Sequence, residues 1–247
     1  MSDMKKTDLQ NLNEEFLHVD PLEKAYRESI TQVPGVIESL EQHQTALLVI
    51  DMQYLDAAPG YGVFADLANS NIAKESQEYY FKRLDHVVLP NIRRLQDRFR
   101  DANLEVIHTR IMSMTRDGRE RSAGHKRLGM HAIPDSKEAE FLPEVAPKGD
   151  EIVINKTASG VFNATNIDYI LRNLEITGLF VCGVYTNECV STTVRDACDR
   201  GFYTTLINDA CATVTPELHN ATIATLKDRY ARVMTTEEAL KEIKRVV

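Results

Sequence analysis

Leu179–Val184, LFVCGV, runs directly into Tyr185–Phe202, YTNECVSTTVRDACDRGF, and this junction decides the fold. Six apolar residues without alternation predict a strand buried on both faces. The turn GVYTNEC then opens a segment of helical period over Glu188 to Asp199, and a second β-rich run, YTTLIN (203 to 208), follows it. Strand, helix, strand is the unit of a parallel sheet.

Working outward, the same alternation continues in both directions. TALLVI (45 to 50), LEVIHT (104 to 109), EIVI (151 to 154) and ARVM (231 to 234) are the other candidate strands. Between them, Val87, Val88, Ile92, Leu95 and Phe99 recur at three to four residues within Glu78 to Asn103 and line one helical face. Phe162 to Asn173, Pro216 to Arg229 and Glu237 to Arg245 carry similar spacing. The expectation is an α/β protein built as a three-layer α/β/α sandwich over residues 45–247, preceded by a polar N-terminal helical arm over residues 1–44 that contains PLEKAYRESI and GVIESLEQHQ. Two insertions, Tyr54 to Gln77 and Ile111 to Gly149, leave the predicted C-terminal ends of strands, where loops shape ligand sites.

Composition narrows the function classes. The chain has 247 residues, 43% hydrophobic and 27% charged, with a formal charge of −8. An acidic chain argues against a phosphate-binding face for nucleic acid, which needs clustered Lys and Arg. The longest apolar stretches fall far short of the ~20 residues that cross a bilayer. The N-terminal lysines are followed by no apolar block, so no secretory signal is expected and the cytoplasm is the expected location. Cys182, Cys189, Cys198 and Cys211 form no CxxC pair and are expected as free thiols.

Residues just after parallel strands converge on one rim, whatever their separation in sequence. Asp51 follows TALLVI, Lys156 follows EIVIN, and Cys189 lies just past LFVCGV. Singly each has an ordinary reading: a turn cap, a solvated amine, a small core hydrophobe. Together they suit nucleophilic chemistry. Thr186 and Asn187 are N-cap types, placing Cys189 in a first helical turn where that position and a neighbouring ammonium lower a thiol pKa towards neutrality. The N–H groups there could hold an oxyanion, Asp51 could shuttle the proton, and Lys156 could balance charge.

At these residues the chain resembles the isochorismatase-like cysteine hydrolases. ALLVIDMQ, the run Lys156, Ser159, Phe162 followed by Thr165, and GVYTNECVSTTVRDACDRGF match that family's three motif regions in order over roughly residues 45 to 235. The resemblance implies a six-stranded, mostly parallel, Rossmann-like sheet, an Asp51, Lys156, Cys189 triad, and C–N bond hydrolysis through a thioester. It also implies a cis peptide between Val184 and Tyr185, aiming the N–H groups of Tyr185 and Cys189 at an oxyanion. The metal ligands of nicotinamidases, an Asp-x-His and a further His, have no counterpart after Gln53 or after His108, so no metal and no cofactor are expected. A thiol in the third motif favours an amide or ureide, and CVSTTVRDA resembles members acting on carbamoyl and ureido compounds such as biuret, N-carbamoyl amino acids or ureidoacrylate.

Substrate contacts are expected from Gln53, Tyr61, Phe64, Arg110, Ser159, Phe162 and Tyr185. Arg110 follows LEVIHT and is read either as a bidentate grip on a carboxylate or urea oxygen or as a structural ion pair. Gln53 reaches the substrate or satisfies a backbone group. Tyr54, Tyr61 and Phe64 wall the pocket or pack their loop. The basic loop Arg116 to Arg127 steers an anion, docks on a neighbouring subunit, or is simply solvated. His108, Cys182, Cys198 and Cys211 read as packing. The chain is thus expected to be a cysteine-dependent amidohydrolase on a small amide or ureide, without nucleic-acid or membrane partners, assembled as a homo-oligomer, dimer or tetramer. Two other readings are an isochorismatase-type vinyl-ether hydrolase, which needs no thiol, and a non-catalytic redox-responsive binding protein of the same fold.

Overall fold

A computed structural model describes residues 35–246. The segment PLEKAYRESI lies outside the described residues. Helix α1 (Gly35–Glu41) belongs to the packed body, because Val36 and Leu40 are buried in the main core. Strand β1 (Thr45–Ile50) matches TALLVI residue for residue and is buried at every position. It leads into the short α2 (Tyr54–Ala57), then α3 (Lys74–Arg83), a wide π-type turn over Leu84–Val88, and α4 (Leu89–Asp101). The apolar stripe read from the sequence is the buried face of α4, where Ile92, Leu95 and Phe99 are wholly buried and Phe99 meets Phe180 edge to face at 5.5 Å.

Strands β2 (Glu105–Ile111) and β3 (Ile152–Lys156) extend beyond the apolar runs that announced them. Their parallel ladder pairs Arg110 with Asn155 and Ile111 with Lys156, so polar residues at the ends are still strand. Lys156 is therefore the last residue of β3, and Arg110 lies within β2, where each had been expected to follow its strand. Beyond β2, the second insertion carries α5 (Ala123–Arg127). After β3 come α6 (Val161–Ala164), α7 (Ile167–Asn173) and β4 (Gly178–Val184). A π-type turn, Thr186–Val190, opens α8 (Ser191–Asp199). β5 (Tyr203–Ala212), α9 (Pro216–Leu226), β6 (Arg232–Met234) and α10 (Thr236–Val246) complete the described chain.

The six strands are all parallel, in the order β3-β2-β1-β4-β5-β6. Helices α1, α4 and α10 pack together on one face, and α6, α8 and α9 on the other. No described helix is long and apolar enough to cross a membrane.

This order reverses direction between β1 and β4, and a crevice opens at such a switch point beyond the carboxyl ends of the strands. Gly183 lets the two central strands close there. Its φ is +117°, and a Cβ at this position would meet the Ile50 carbonyl oxygen at 2.1 Å. Only glycine accepts both conditions.

Candidate active site

Asp51 is the first residue past β1 and adopts φ +52°, a left-handed turn that Asp tolerates better than most residues. β2 holds it there: Asp51 N donates to Thr109 O at 3.1 Å, and Thr109 Oγ1 donates to Asp51 Oδ1 at 2.8 Å. The other carboxylate oxygen, Oδ2, lies 2.8 Å from Lys156 Nζ, with both side chains fully buried. Lys156 Nζ also donates to Ala158 O at 3.0 Å and to Cys189 Sγ at 3.4 Å. The ammonium is thereby held between a carboxyl group, a backbone carbonyl and the thiol. Three residues spread over more than a hundred positions of chain, from Asp51 to Cys189, meet at one rim.

Cys189 is 3% exposed and sits in the turn that opens α8. It lines a cavity of about 610 Å³ together with Asp56, Gly62, His125, Met130, Tyr185, Asn187, Glu188 and Thr213. The peptide bond between Val184 and Tyr185 is cis.

The electrostatics differ from the sequence expectation of a thiol lowered towards neutrality. Burial pushes the Cys189 thiol well above its ordinary value; Lys156 pulls it down, and Asp51 and Asp56 push it up again. One ammonium is outweighed by desolvation and two carboxyls. Burial also opposes the charge on Lys156, but Asp51, Cys189 and Asp56 together hold its pKa above the ordinary lysine range. The resting site is thus a protonated thiol beside an ammonium and a carboxyl group.

The cap of the cysteine turn is also not the expected one. Tyr185 occupies the N-cap position and no side chain caps the turn. Thr186 and Asn187 are engaged elsewhere: Thr186 Oγ1 pairs with His219 Nδ1 at 2.9 Å, and Thr213 Oγ1 donates to Asn187 Oδ1. His219 Nε2 in turn meets Asn208 Oδ1 at 2.7 Å and Arg83 Nη2 at 3.2 Å. This buried network from β5, α3 and α9 fixes the turn from behind.

Of the residues expected at the substrate, Tyr185 lines the cavity and the others do not. Gln53 is a strap: its Nε2 donates to Ile111 O and Glu138 O at 2.9 and 2.8 Å, and its Oε1 accepts from Ile111 N. Arg110 donates to Asn155 Oδ1 at 2.7 Å and Ala139 O at 2.9 Å, held sideways along the strand pair. Phe64 is wholly buried and stacked on Tyr80 at 5.3 Å, behind the wall rather than in it. Tyr61 packs edge-on against Tyr54. Phe162 packs on Phe202 at 5.8 Å, and Ser159 stands outside the lining. Of the basic loop, Arg127 reaches the cavity, exposed at its edge. His108 is buried, with Nε2 3.0 Å from Glu151 Oε2, as a packing residue should be.

Sequence reasoning missed Asp56, His125, Asn187 and Thr213. Asp56 lay within YLDAAPGYGVF, a segment scanned for aromatics, and its position five residues past Asp51 was the available signal. His125 is buried on α5, where its backbone N–H donates to Ser122 Oγ at 3.2 Å. Burial and then Lys156 depress its pKa to about 4, so it is neutral at pH 7.

The model of the isochorismatase domain matches residues 45–238. The chain belongs to the isochorismatase family. Ureidoacrylate amidohydrolase RutB of Acinetobacter baylyi is 29% identical over 216 residues, 80% of this chain and 83% of that one. N-carbamoylsarcosine amidase of an Arthrobacter species is 25% identical over 162 residues, 62% and 60% of the two chains. A crystal structure of a cysteine hydrolase from Pseudomonas syringae pv. phaseolicola superimposes with a TM-score of 0.67 at 22% identity, covering 83% of this chain and 94% of that one, and shares its fold. This isochorismatase-family protein is a hydrolase, and its Asp51, Lys156 and Cys189 occupy the ends of β1 and β3 and the turn after β4.

Proposed function

We propose that the protein is an amidohydrolase that cleaves the C–N bond of a small amide or ureide through a thioester on Cys189. The observation that carries this reading is the position of Lys156 Nζ, 2.8 Å from Asp51 Oδ2 and 3.4 Å from Cys189 Sγ, beside a cavity of substrate size.

Because the resting thiol is protonated, the first step couples proton transfer to attack. Asp51 accepts the Cys189 proton as the sulfur bonds to the carbonyl carbon, and the C=O electron pair moves onto oxygen. The N–H groups of Tyr185 and Cys189, both cavity-lining residues, receive that oxyanion. Its collapse breaks the C–N bond, and Asp51 returns the proton to the departing nitrogen. Water then gives a proton to Asp51 and attacks the thioester, the C–S bond breaks, and the proton goes back to sulfur. The sum is amide plus water to acid plus amine or ammonia. Lys156 keeps its proton throughout and balances the charge on carboxylate and thiolate.

Cys189→Ser and Cys189→Ala keep the fold and lose turnover by about 10³-fold or more, as for other covalent nucleophiles. Mass spectrometry of a quenched wild-type reaction locates an acyl or carbamoyl adduct on Cys189; an adduct on Cys182, Cys198 or Cys211 rejects the mechanism. A vinyl ether hydrolysed by Cys189→Ala at the wild-type rate would support the thiol-independent alternative. Assembly as a dimer or tetramer is part of the same proposal and is read from light scattering.

A further inference from the structure

The mechanism leaves a buried acid beside the site unused. Asp56 is 1% exposed, lines the cavity that holds Cys189, and neither of its carboxyl oxygens has a hydrogen-bond partner. Its backbone is fixed: Tyr80 and Tyr185 both donate their hydroxyls to the Asp56 carbonyl oxygen, at 2.8 and 2.9 Å. A buried carboxyl group without a partner is costly and is not retained for packing. What it lacks is a donor, and the empty space beside it is the substrate cavity.

We infer that Asp56 binds N–H donors of the substrate on the flank of the scissile carbonyl, so that the enzyme selects amides and ureides bearing an amino, ammonium or urea-type NH₂ group there and disfavours those bearing a carboxylate. This rests on the amidohydrolase reading and sharpens it. Glu188, a second carboxyl group lining the cavity, adds to the disfavour. His125, also in the lining, is neutral at pH 7 and gives an anion no charge to pair with. Arg127 is a cation of the lining, but it is exposed to solvent, whereas Asp56 is buried. Burial first, then Asp51, raise the Asp56 carboxyl, with Lys156 opposing and Glu188 adding to the rise. An N–H donor or a cation beside it would supply the partner it lacks and favour its charged form.

The test is calorimetric binding to the full-length Cys189→Ala protein, which does not turn over, with and without Asp56→Asn or Asp56→Leu. The probes are biuret and glycinamide, which carry flanking N–H donors, butyramide, which has none, and N-carbamoylglycine, which carries a carboxylate. Expected is a loss of about 10- to 100-fold for biuret or glycinamide in both Asp56 variants, the range for a hydrogen bond to a charged group, with butyramide moved by less than about threefold. Equal loss for butyramide, or tighter binding of N-carbamoylglycine than of biuret and glycinamide, overturns the inference. Asp56→Leu should melt no lower than its parent, because it removes an unpartnered buried polar group; a clear fall assigns Asp56 a structural role instead. These readouts need no turnover, so a missing adduct on wild-type Cys189 would sink the thioester mechanism without touching the binding comparison.

Discussion

Lys156 Nζ lies 2.8 Å from Asp51 Oδ2, and neither side chain is exposed to solvent. Two charges taken out of water are stable there only as a pair, since removing one leaves the other uncompensated in a low-dielectric site. The ion pair therefore ties the chemistry of the rim to the stability of the sheet.

Lys156→Met should lower unfolding free energy by about 3–5 kcal/mol, the usual cost of orphaning a buried charge. Adding Asp51→Leu to it should restore much of the lost stability and none of the activity. Urea denaturation of both variants, with fitted slopes compared, checks this. A single variant as stable as the parent would show that the ion pair contributes nothing to the stability of the sheet.

The Cys189 thiol is held up by burial, so below its raised pKa the sulfur keeps its proton. Alkylation by iodoacetamide follows the thiolate fraction and should be slow at pH 7, rising only in the alkaline range. Peptide mapping assigns the modified cysteine at each pH. A rate for Cys189 that is already at its plateau near neutrality would mean that Lys156 outweighs burial.

His125 and His219 are both buried, and burial depresses each to about 4 from an ordinary 6.5. Folded, they stay neutral where the unfolded chain takes up protons. Their contribution to stability is present above pH 6.5 and is lost as pH falls from there towards 4. The urea midpoint should fall across that window, and His219→Gln should remove part of the slope. His219 also contacts Thr186 Oγ1, so the same variant should lower kcat by loosening the cysteine turn.

Strand β1 and the turn after β4 were legible because their information is local: apolar runs without alternation, then residues suited to a rim. Asp51, Lys156 and Cys189 could be placed together because parallel strands deliver their carboxyl ends to one edge. The cavity wall was not legible in the same way. Gln53 and Arg110 are the residue types that grip substrates, yet both spend their donors on backbone carbonyls of Glu138 and Ala139, a partnership set by how the second insertion folds back. Asp56 was hidden for the converse reason, since its place five residues past Asp51 hints at the rim but its burial without a partner shows only in the fold. The thiol pKa was misjudged because sequence proximity shows the ammonium but not the desolvation.

Gln53 supplies a last test of that distinction. It bonds Ile111 through both its N–H and its carbonyl and reaches Glu138 as well, closing the second insertion onto the end of β1. Met52 O and Glu140 O reinforce this seam through Leu142 N and Tyr54 N, both at 3.0 Å. Gln53→Leu leaves the Ile111 N–H and two carbonyls without their side-chain partner, at about 1–3 kcal/mol for each group left buried and unpaired. Since Gln53 does not line the cavity, the expected outcome is a lower melting temperature with KM within about threefold of wild type at a temperature where the variant is folded. A large rise in KM with unchanged melting would instead make Gln53 a substrate contact.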